Sequence, residues 1–520
     1  MNKRVLMLIL ISLFARVACA QTRVFENVNS FELRNAGKIM DQGNILGYYF
    51  FYKKDLVDEE TEAFKITLMD NNLSVMNSFD VVRPLGSQLV ETAYNGVSFL
   101  MVYFHDLELE FVAYDKAGKV IGNKKLDYIP DHIQAQMKAA KQSAQDVISF
   151  YALDSSSFFR HSVVMNKNWG VEYELEGYSN SMKSLWKVGS QGNSEEDQIA
   201  DIKYVSGNYI AAVVGRTRRG DEPNTFMTDS RYQVLDAKTG AMILETPLND
   251  SGSNWMAMYV FLDEEQQRSM ILGMYSPFVE KAGIDMSMGL YTVYIDMKGN
   301  KSNLRKYPWE GDLGTSLKEI YDSKSRKKPS VFFHTVYRSK TGKTIAIGEQ
   351  YRLVASALGM AGMSLNNGNG GRSMCDLKLM NMVVLEFDSS NNIIHAVSAE
   401  KKRHNVAMPP WIEMNSLPTV ARIMGHANKF DFQFASVDKA RDRLYAVYLD
   451  ADRKGENDEM ANIMLGVISY ENGKSNSERI PLNTEAKYIW VDQAKPGYML
   501  IGEYFKKKKQ ISYRLEKINY

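Results

Sequence analysis

The side chains best suited to bind a polar ligand are concentrated in one segment, residues 401–429. Five of them combine cationic, acidic and aromatic character: Arg403, His404, Trp411, Glu413 and His426. An indole ring can stack on a sugar or a peptide while the charged groups direct hydrogen bonds to it. The alternative is structural: Trp411 packs over a sheet, and the charged side chains of this segment are only solvated.

One acidic stretch imitates a calcium site but lacks the required ligands. Asp450, Asp452 and Asp458 follow the spacing of an EF-hand loop, whereas Lys454 and Ala461 stand where two further oxygen ligands belong. We therefore interpret this stretch as a solvated hairpin loop.

The remaining catalytic and metal-binding patterns are also incomplete. Residues 341–344 (TGKT) resemble the end of a phosphate-binding loop, but they lead into a strand instead of a helix and predict a turn. The seven histidines contain no HExxH motif, and the chain has no GxSxG elbow. We predict no catalytic residue, no metal site and no cofactor from local motifs, although a site assembled from several strands would leave no such pattern.

Cysteine content predicts a fold without an intrachain disulfide. The chain has two cysteines, Cys19 and Cys375, and the first lies in a leader segment. Arg372 and Lys378 could activate the Cys375 thiol as a nucleophile. The structural interpretation, which we prefer, is a small, partly buried residue at the start of a strand.

The elements that must position these residues are short strands in a repeated pattern. A hairpin with Asp, Asn or Gly at its turn recurs at residues 64–79, 111–126, 231–248, 291–307, 383–397 and 464–482. Such residues allow the positive φ that tight turns require. A strongly apolar strand such as residues 270–275 (MILGMY) precedes most copies, as expected for a strand covered on both faces.

Together these strands predict an all-β fold, a β-propeller of seven or eight four-stranded antiparallel blades with short helical insertions. The final blade has three strands of its own, and residues 24–33 would supply the fourth and remove an exposed edge. Two separate β-sandwich domains are the alternative. The blades are expected near residues 38–81, 88–126, 147–190, 199–248, 253–309, 330–400, 429–482 and 488–520.

The long connections are expected to gather on one face of this propeller. They join second to third strands or one blade to the next, at residues 130–146, 216–229, 277–288, 310–329, 353–378 and 401–429. Two stretches, residues 131–146 and 313–328, have helix-forming composition. Because long loops on a rigid scaffold usually carry binding, we place function on this face.

Charge composition excludes a general attraction to nucleic acid or to anionic membranes. The chain has 63 basic and 62 acidic residues, a net charge of +1. Hydrophobic residues make up 45%, but no stretch reaches the length of apolar residues needed to span a bilayer, so we predict no membrane span.

The N-terminus has the features of a secretory signal peptide over residues 1–20. Lys3 and Arg4 precede an apolar run at residues 5–14, and small residues at 18 and 20 predict cleavage before Gln21. Arg16 stands where a lipobox requires an apolar residue, which disfavours a lipid anchor at Cys19. We expect residues 21–520 to be exported as a single propeller domain to the periplasm or the extracellular space.

The strand pattern resembles that of secreted, uncharacterised β-propeller-like proteins of Gram-negative bacteria. The resemblance covers the mature chain and concerns architecture alone, so it implies no catalytic residue. The gathering of long loops on one face, together with the absence of a catalytic constellation, favours a noncatalytic binding or scaffold protein that uses this face to hold a protein, peptide or glycan of the cell envelope. The alternatives are a propeller enzyme that acts on an envelope or dietary polysaccharide, and a purely structural envelope component.

Overall fold

The computed structural model divides the chain into two compact units. The smaller comprises Met1–Ser87, Lys116–Lys119 and Thr484–Tyr520, and the larger comprises Gln88–Asp115 and Val120–Asn483. The structure describes residues 21–28, 36–41, 44–106, 108–126, 149–165, 171–190, 196–219, 225–281, 287–309, 313, 330–339, 341–356, 373, 375–409, 417–426, 428–438, 441–454, 459–482 and 484–518.

The smaller unit holds two four-stranded antiparallel sheets. The strands of the first, in spatial order, are β2 (Ala36–Asp41), β3 (Asn44–Leu56), β4 (Thr61–Asp70) and β5 (Val75–Pro84). The strands of the second are β1 (Thr22–Phe25), β34 (Gln510–Lys517), β33 (Tyr498–Phe505) and β32 (Tyr488–Gln493).

The larger unit holds six more sheets, each built as four strands in meander order. The first three are β6 (Gln88–Tyr94), β7 (Phe99–His105), β8 (Glu108–Tyr114) and β9 (Val120–Leu126); β10 (Ser149–Asp154), β11 (Ser157–Met165), β12 (Val171–Ser179) and β13 (Ser184–Gly189); and β14 (Asp197–Val205), β15 (Tyr209–Arg219), β16 (Thr225–Asp236) and β17 (Met242–Pro247). The other three are β18 (Asn254–Asp263), β19 (Arg268–Ser276), β21 (Gly289–Asp296) and β22 (Lys301–Pro308); β23 (Ser330–Arg338), β24 (Thr344–Ala355), β25 (Cys375–Phe387) and β26 (Ile393–Ala399); and β28 (Phe432–Asp438), β29 (Arg443–Lys454), β30 (Glu459–Glu471) and β31 (Lys474–Pro481).

The eight sheets are the blades of a β-propeller, which confirms the predicted fold class and sets the count at eight. The alternative of two β-sandwich domains is wrong, because seven of the eight sheets are four-stranded meanders of strands close together in the chain, and the eighth joins β1 to the last three strands. Two short strands are added to this plan: β20 (Val279–Lys281) pairs with β16, and β27 (His404–Ala407) pairs with β25.

In the smaller unit, β1 and β34 bring the two ends of the described chain together. They are antiparallel, with Thr22 opposite Arg514 and Phe25 opposite Ile511. The ring of Phe25 packs 4.9 Å from that of Phe50, centroid to centroid, within the core of this unit. Of the residues 24–33 that the sequence nominated as a fourth strand, Val24 and Phe25 lie in β1 and residues 26–28 follow it; residues 29–33 lie outside the described residues.

Second strands are buried and fourth strands are exposed. In β7 and β19 nearly every residue is buried, whereas almost every residue of β22 is exposed. The inner strands pack against neighbouring blades on both faces, and the outermost strand meets solvent. The core of the larger unit therefore lies between consecutive blades, as where Tyr232 of β16 and Tyr291 of β21 share one cluster.

The predicted turn chemistry holds for most hairpins and fails at one. Gly118 and Gly240 adopt positive φ of 85° and 71° at their turns, where glycine carries no steric cost. In the β4–β5 hairpin the positive φ (63°) falls on Leu73 instead of on an adjacent asparagine. The Leu73 side chain is buried in the core, and Asp70 Oδ1 accepts the backbone N–H groups of Asn72 and Ser74, which together hold this turn.

One α-helix is present among the described residues, α1 (Leu417–His426), in the connection before β28. The helical insertions predicted at 131–146 and 313–328 lie outside the described residues, apart from Leu313. A short 3-10 turn at Lys506–Lys508 joins β33 to β34. Across the described ranges, no helix combines the length and the apolar character needed to cross a bilayer.

Candidate functional site

The larger unit contains a pocket of about 220 Å³ at the first strands of four blades. Strands β14, β18, β23 and β28 supply most of its walls, and α1 covers one side. The lining residues are Asp201, Lys203, Met256, Ala257, Met258, Met274, Phe332, Phe333, His334, Pro418, Arg422, Gly425 and Phe432.

Local sequence explains why α1 forms beside this pocket. Pro418 lies in the first turn, where its missing N–H removes no helical hydrogen bond. Asn428 adopts a left-handed conformation just after the helix and donates its N–H to the Gly425 carbonyl oxygen, which ends it.

The two faces of α1 have different roles. Val420, Ala421 and Met424 are buried in a cluster with neighbouring strands. Arg422 and Gly425 occupy the other face, one turn apart, and both line the pocket. Gly425 leaves room there for an aromatic ring, since a Cβ on it would lie 2.8 Å from Cζ of Phe332.

Aromatic and thioether side chains form the apolar part of the pocket. The imidazole of His334 stacks on the Phe432 ring, with 4.6 Å between centroids and 8° between planes. Phe332 stacks in turn on Phe430, 4.8 Å away. Methionines from β18 and β19 complete these walls, and their flexible thioethers can adapt to the outline of a ligand.

The two cationic groups of the pocket differ in how they are neutralised. Lys203 Nζ lies 2.6 Å from Asp201 Oδ2 and also donates to the Met258 carbonyl oxygen at 3.0 Å. Arg422 is partly buried and forms no ion pair with any carboxylate of the described chain. The pocket therefore contains one cation whose partner a ligand could supply.

Behind His334 lies a cluster of buried charges, Lys401, Glu349 and Asp431. The Lys401 ammonium lies 2.9 Å from Glu349 Oε1 and 2.5 Å from Asp431 Oδ2. Glu349 Oε2 also accepts the backbone N–H of Asp431 at 3.1 Å. His334 Nε2 is 3.5 Å from Glu349 Oε2, and His404 Nε2 is 3.4 Å from Asp431 Oδ1.

The cluster holds Glu349 and Lys401 in their charged forms. Burial acts to raise the pKa of Glu349, but the Lys401 ammonium and His334 outweigh it and hold this pKa below its usual value. Burial acts to lower the pKa of Lys401, and the carboxylates of Glu349 and Asp431 reverse that effect and raise it. An ammonium between two carboxylates is thus the stable arrangement in this interior.

Of the five residues that the sequence nominated for ligand binding, the structure describes the side chains of two. Arg403 is exposed, and His404 lies in β27 beside the buried cluster. His426 is the last residue of α1, and its side chain is outside the described residues, as are Trp411 and Glu413. Neither Arg403 nor His404 is among the described residues that line the pocket, and the role of all five in binding stays a prediction.

Sequence reasoning selected the segment 401–429 but missed the residues in it that build the site. Lys401 is one of the charged residues of this segment, for which the alternative was simple solvation, yet its side chain has no solvent exposure. Arg422 was not considered; the early proline followed by apolar residues at 420, 421 and 424 was the signal for an amphipathic helix there.

Two further expectations from sequence have clear outcomes. The interpretation of Asp450 as part of a solvated loop is wrong: Asp450 is buried in β29, where it accepts the Lys402 backbone N–H at 2.7 Å and pairs with Arg479 at 3.0 Å. Cys375 is partly buried at the start of β25, as predicted.

Within the described ranges, no group of three or more His, Cys, Asp or Glu side chains is arranged to hold a metal ion.

Comparison with solved structures shows distant similarity. The crystal structure of polysaccharide lyase Uly1 shares 9% identity, with a TM-score of 0.40 over 83% of this chain and 90% of that chain. The structure of the Dos1 propeller shares 8%, with a TM-score of 0.41 over 96% and 95%. The WD40 domain of SCAP from fission yeast shares 8%, with a TM-score of 0.35 over 96% and 99%. No ligand or activity follows for this chain at such values.

The sequence itself has a family match. No curated protein matches the chain. A family model described as "Family of unknown function (DUF6770)" matches residues 1–519, and the chain belongs to this family.

Proposed function

We propose that this protein is exported and binds a small ligand, without converting it, in the pocket beside α1. The observation that carries the proposal is Arg422, a partly buried cation that lines the pocket and pairs with no carboxylate of the described chain. A charged group away from bulk water is costly unless it is paired. A ligand with an anionic group would pair with Arg422 and would bind more tightly because it removes this cost.

The scaffold supports binding because it holds the pocket walls in place before a ligand arrives. Phe332 and His334 lie on β23, and Phe432 begins β28 of the next blade. The ion pairs of Lys401 with Glu349 and Asp431 join these two blades directly behind the pocket. A site that is already ordered loses less entropy when it binds.

The composition of the pocket favours binding over polysaccharide cleavage. A glycoside hydrolase of the usual kind needs two carboxyl groups roughly 5–10 Å apart across the scissile bond. The described lining contains one carboxylate, Asp201, which already pairs with Lys203.

The part of the proposal that concerns export rests on the signal-peptide pattern of residues 1–20.

The proposal can be tested with a ligand-observed NMR screen of a mixed fragment library against residues 21–520. Gly425→Ala adds a methyl group against Phe332 and narrows the pocket without changing its charge. We expect binders whose affinity falls several-fold in this variant and which are recovered chemically unchanged. Gly252→Ala is the matched control, because it lies in an exposed turn where a Cβ meets only Asp250 Oδ1, at 3.9 Å.

Two results would contradict the proposal. One is a screen in which every binder retains its affinity in Gly425→Ala, because those compounds would bind elsewhere. The other is the conversion of a bound fragment into a new compound on prolonged incubation, detected by mass spectrometry, which would favour the enzyme alternative.

A further inference from the structure

We infer that the ligand is a small aromatic monocarboxylate, with its carboxylate on Arg422 and its ring against Phe332, Phe432 and the methionine wall. This inference rests on the proposed binding function and adds the chemical class of the ligand. It follows from the charge, the walls and the size of the pocket, taken in turn.

The charge of the pocket calls for one anionic group. Asp201 already neutralises Lys203, and that ammonium also donates to a backbone carbonyl oxygen. Arg422 therefore carries the uncompensated positive charge among the described lining residues. A guanidinium binds a carboxylate through two parallel N–H···O bonds, which makes a carboxylate a better partner than a neutral acceptor.

The walls favour an apolar ring over a hydroxyl-rich sugar. A sugar in a partly closed pocket needs a hydrogen-bond partner for each hydroxyl, and a group left without one costs free energy. Apart from Arg422 and the mutually paired Asp201 and Lys203, the described lining offers His334 as its other charged or titratable side chain, and its Nε2 faces Glu349 at 3.5 Å. The remaining lining is largely thioether and aromatic surface, which suits the face and edge of an aromatic ring.

The volume of the pocket suits a ligand of about one ring. An engineered apolar cavity of about 150 Å³ accepts benzene. The present pocket, at about 220 Å³, exceeds that volume by enough for a carboxylate or a short side chain.

Isothermal titration calorimetry of residues 21–520 can test the class directly. Benzoate and phenylacetate are the carboxylate probes, and benzyl alcohol is the neutral aromatic control. Glucuronate and glucose are the acidic and neutral sugar controls. We expect benzoate or phenylacetate to bind at least 10-fold more tightly than benzyl alcohol, and glucuronate to bind more weakly than either aromatic acid.

Variants of Arg422 test how the carboxylate is held. Arg422→Gln should lower the affinity for the aromatic acids about 10- to 100-fold and leave benzyl alcohol within about 3-fold. Arg422→Lys keeps the charge but loses the planar fork, so it should recover part of that affinity. Arg441→Gln is the control, because this exposed arginine lies outside the pocket lining.

The outcomes separate failure of this inference from failure of the proposed function. Equal affinity for benzoate and benzyl alcohol, or an unchanged preference in Arg422→Gln, would overturn the inference while leaving a ligand site in the pocket. Tighter binding of glucuronate than of both aromatic acids would overturn the aromatic part. If no probe loses affinity in Gly425→Ala, the pocket is not the ligand site, and the inference and the proposed function both fail.

Discussion

The buried cluster and the pocket lie on either side of His334 and differ in whether carboxylates of the described chain neutralise all of their cations. In the cluster, Lys401 and Glu349 have no exposed side-chain surface, and each pairs with an opposite charge. In the pocket, Arg422 remains partly exposed and pairs with no carboxylate among the described residues. The contrast separates charges that stabilise the blades from a charge that is available to a ligand.

The difference follows from the cost of burial. A charge taken fully out of water is tolerated only when partners replace its hydration, so Lys401 needs both carboxylates. A guanidinium at the edge of a pocket keeps part of its hydration, so it can remain there without a carboxylate partner until a ligand binds. The comparison predicts that the same kind of substitution will affect stability in one region and binding in the other.

The largest effect is expected when the central cation of the cluster is removed. Lys401→Met would leave Glu349 and Asp431 as neighbouring buried carboxylates without the ammonium between them. We expect the free energy of unfolding to fall by about 3–5 kcal/mol, because breaking a buried pair from one side leaves uncompensated charge. Urea denaturation followed by circular dichroism would measure the change.

Lys238→Met is the matched control for this substitution. Lys238 is exposed in the turn between β16 and β17, and its backbone N–H, which Asp236 accepts, is unaffected by the change. A loss below about 1 kcal/mol in Lys401→Met would show that the cluster does not stabilise the fold.

A smaller effect is expected from acid. Because Lys401 and His334 hold the pKa of buried Glu349 below its usual value despite the opposing effect of burial, this carboxylate stabilises the fold above its unfolded pKa of about 4.3. That contribution is lost as the pH falls through the folded pKa. We expect the free energy of unfolding to decline below about pH 4.3. In Glu349→Gln, the free energy of unfolding should decline less steeply as the pH falls. If the free energy of unfolding declined equally steeply with pH in wild type and in Glu349→Gln, Glu349 would not contribute to this acid sensitivity.

The smallest stability effect is expected in the pocket. Arg422→Gln removes a charge that pairs with no described carboxylate, so the free energy of unfolding should change by less than about 0.5 kcal/mol. The same urea titrations would measure it. A loss above about 1 kcal/mol would assign Arg422 a structural role and remove the contrast between the two regions.

Much of the fold could be predicted because propeller strands carry local signals. The hairpin at 231–248 shows its turn in Asp236 and Gly240, and the continuous apolar run at 270–275 marks a strand covered on both faces. These signals depend on φ preferences and on alternation between neighbouring residues. Leu73 shows their limit, because burial in the core placed a positive φ on a residue type that rarely adopts it.

The site could be predicted only to the level of a segment. The length and composition of residues 401–429 indicated a functional connection, and α1 from that segment does border the pocket. The nominated residues were chosen for their chemical type. Whether a lysine such as Lys401 faces water or two carboxylates depends on residues 52 and 30 positions away in the chain, Glu349 and Asp431.

The sequence by itself determined the blades, since backbone turns and strand amphipathicity are set by residues close together in the chain. Only the tertiary structure decided which charges became paired and which one was left without a carboxylate partner among the described residues. The reason is that the pocket collects single side chains from four first strands and one helix, while the cost of each charge depends on the groups that the fold brings next to it.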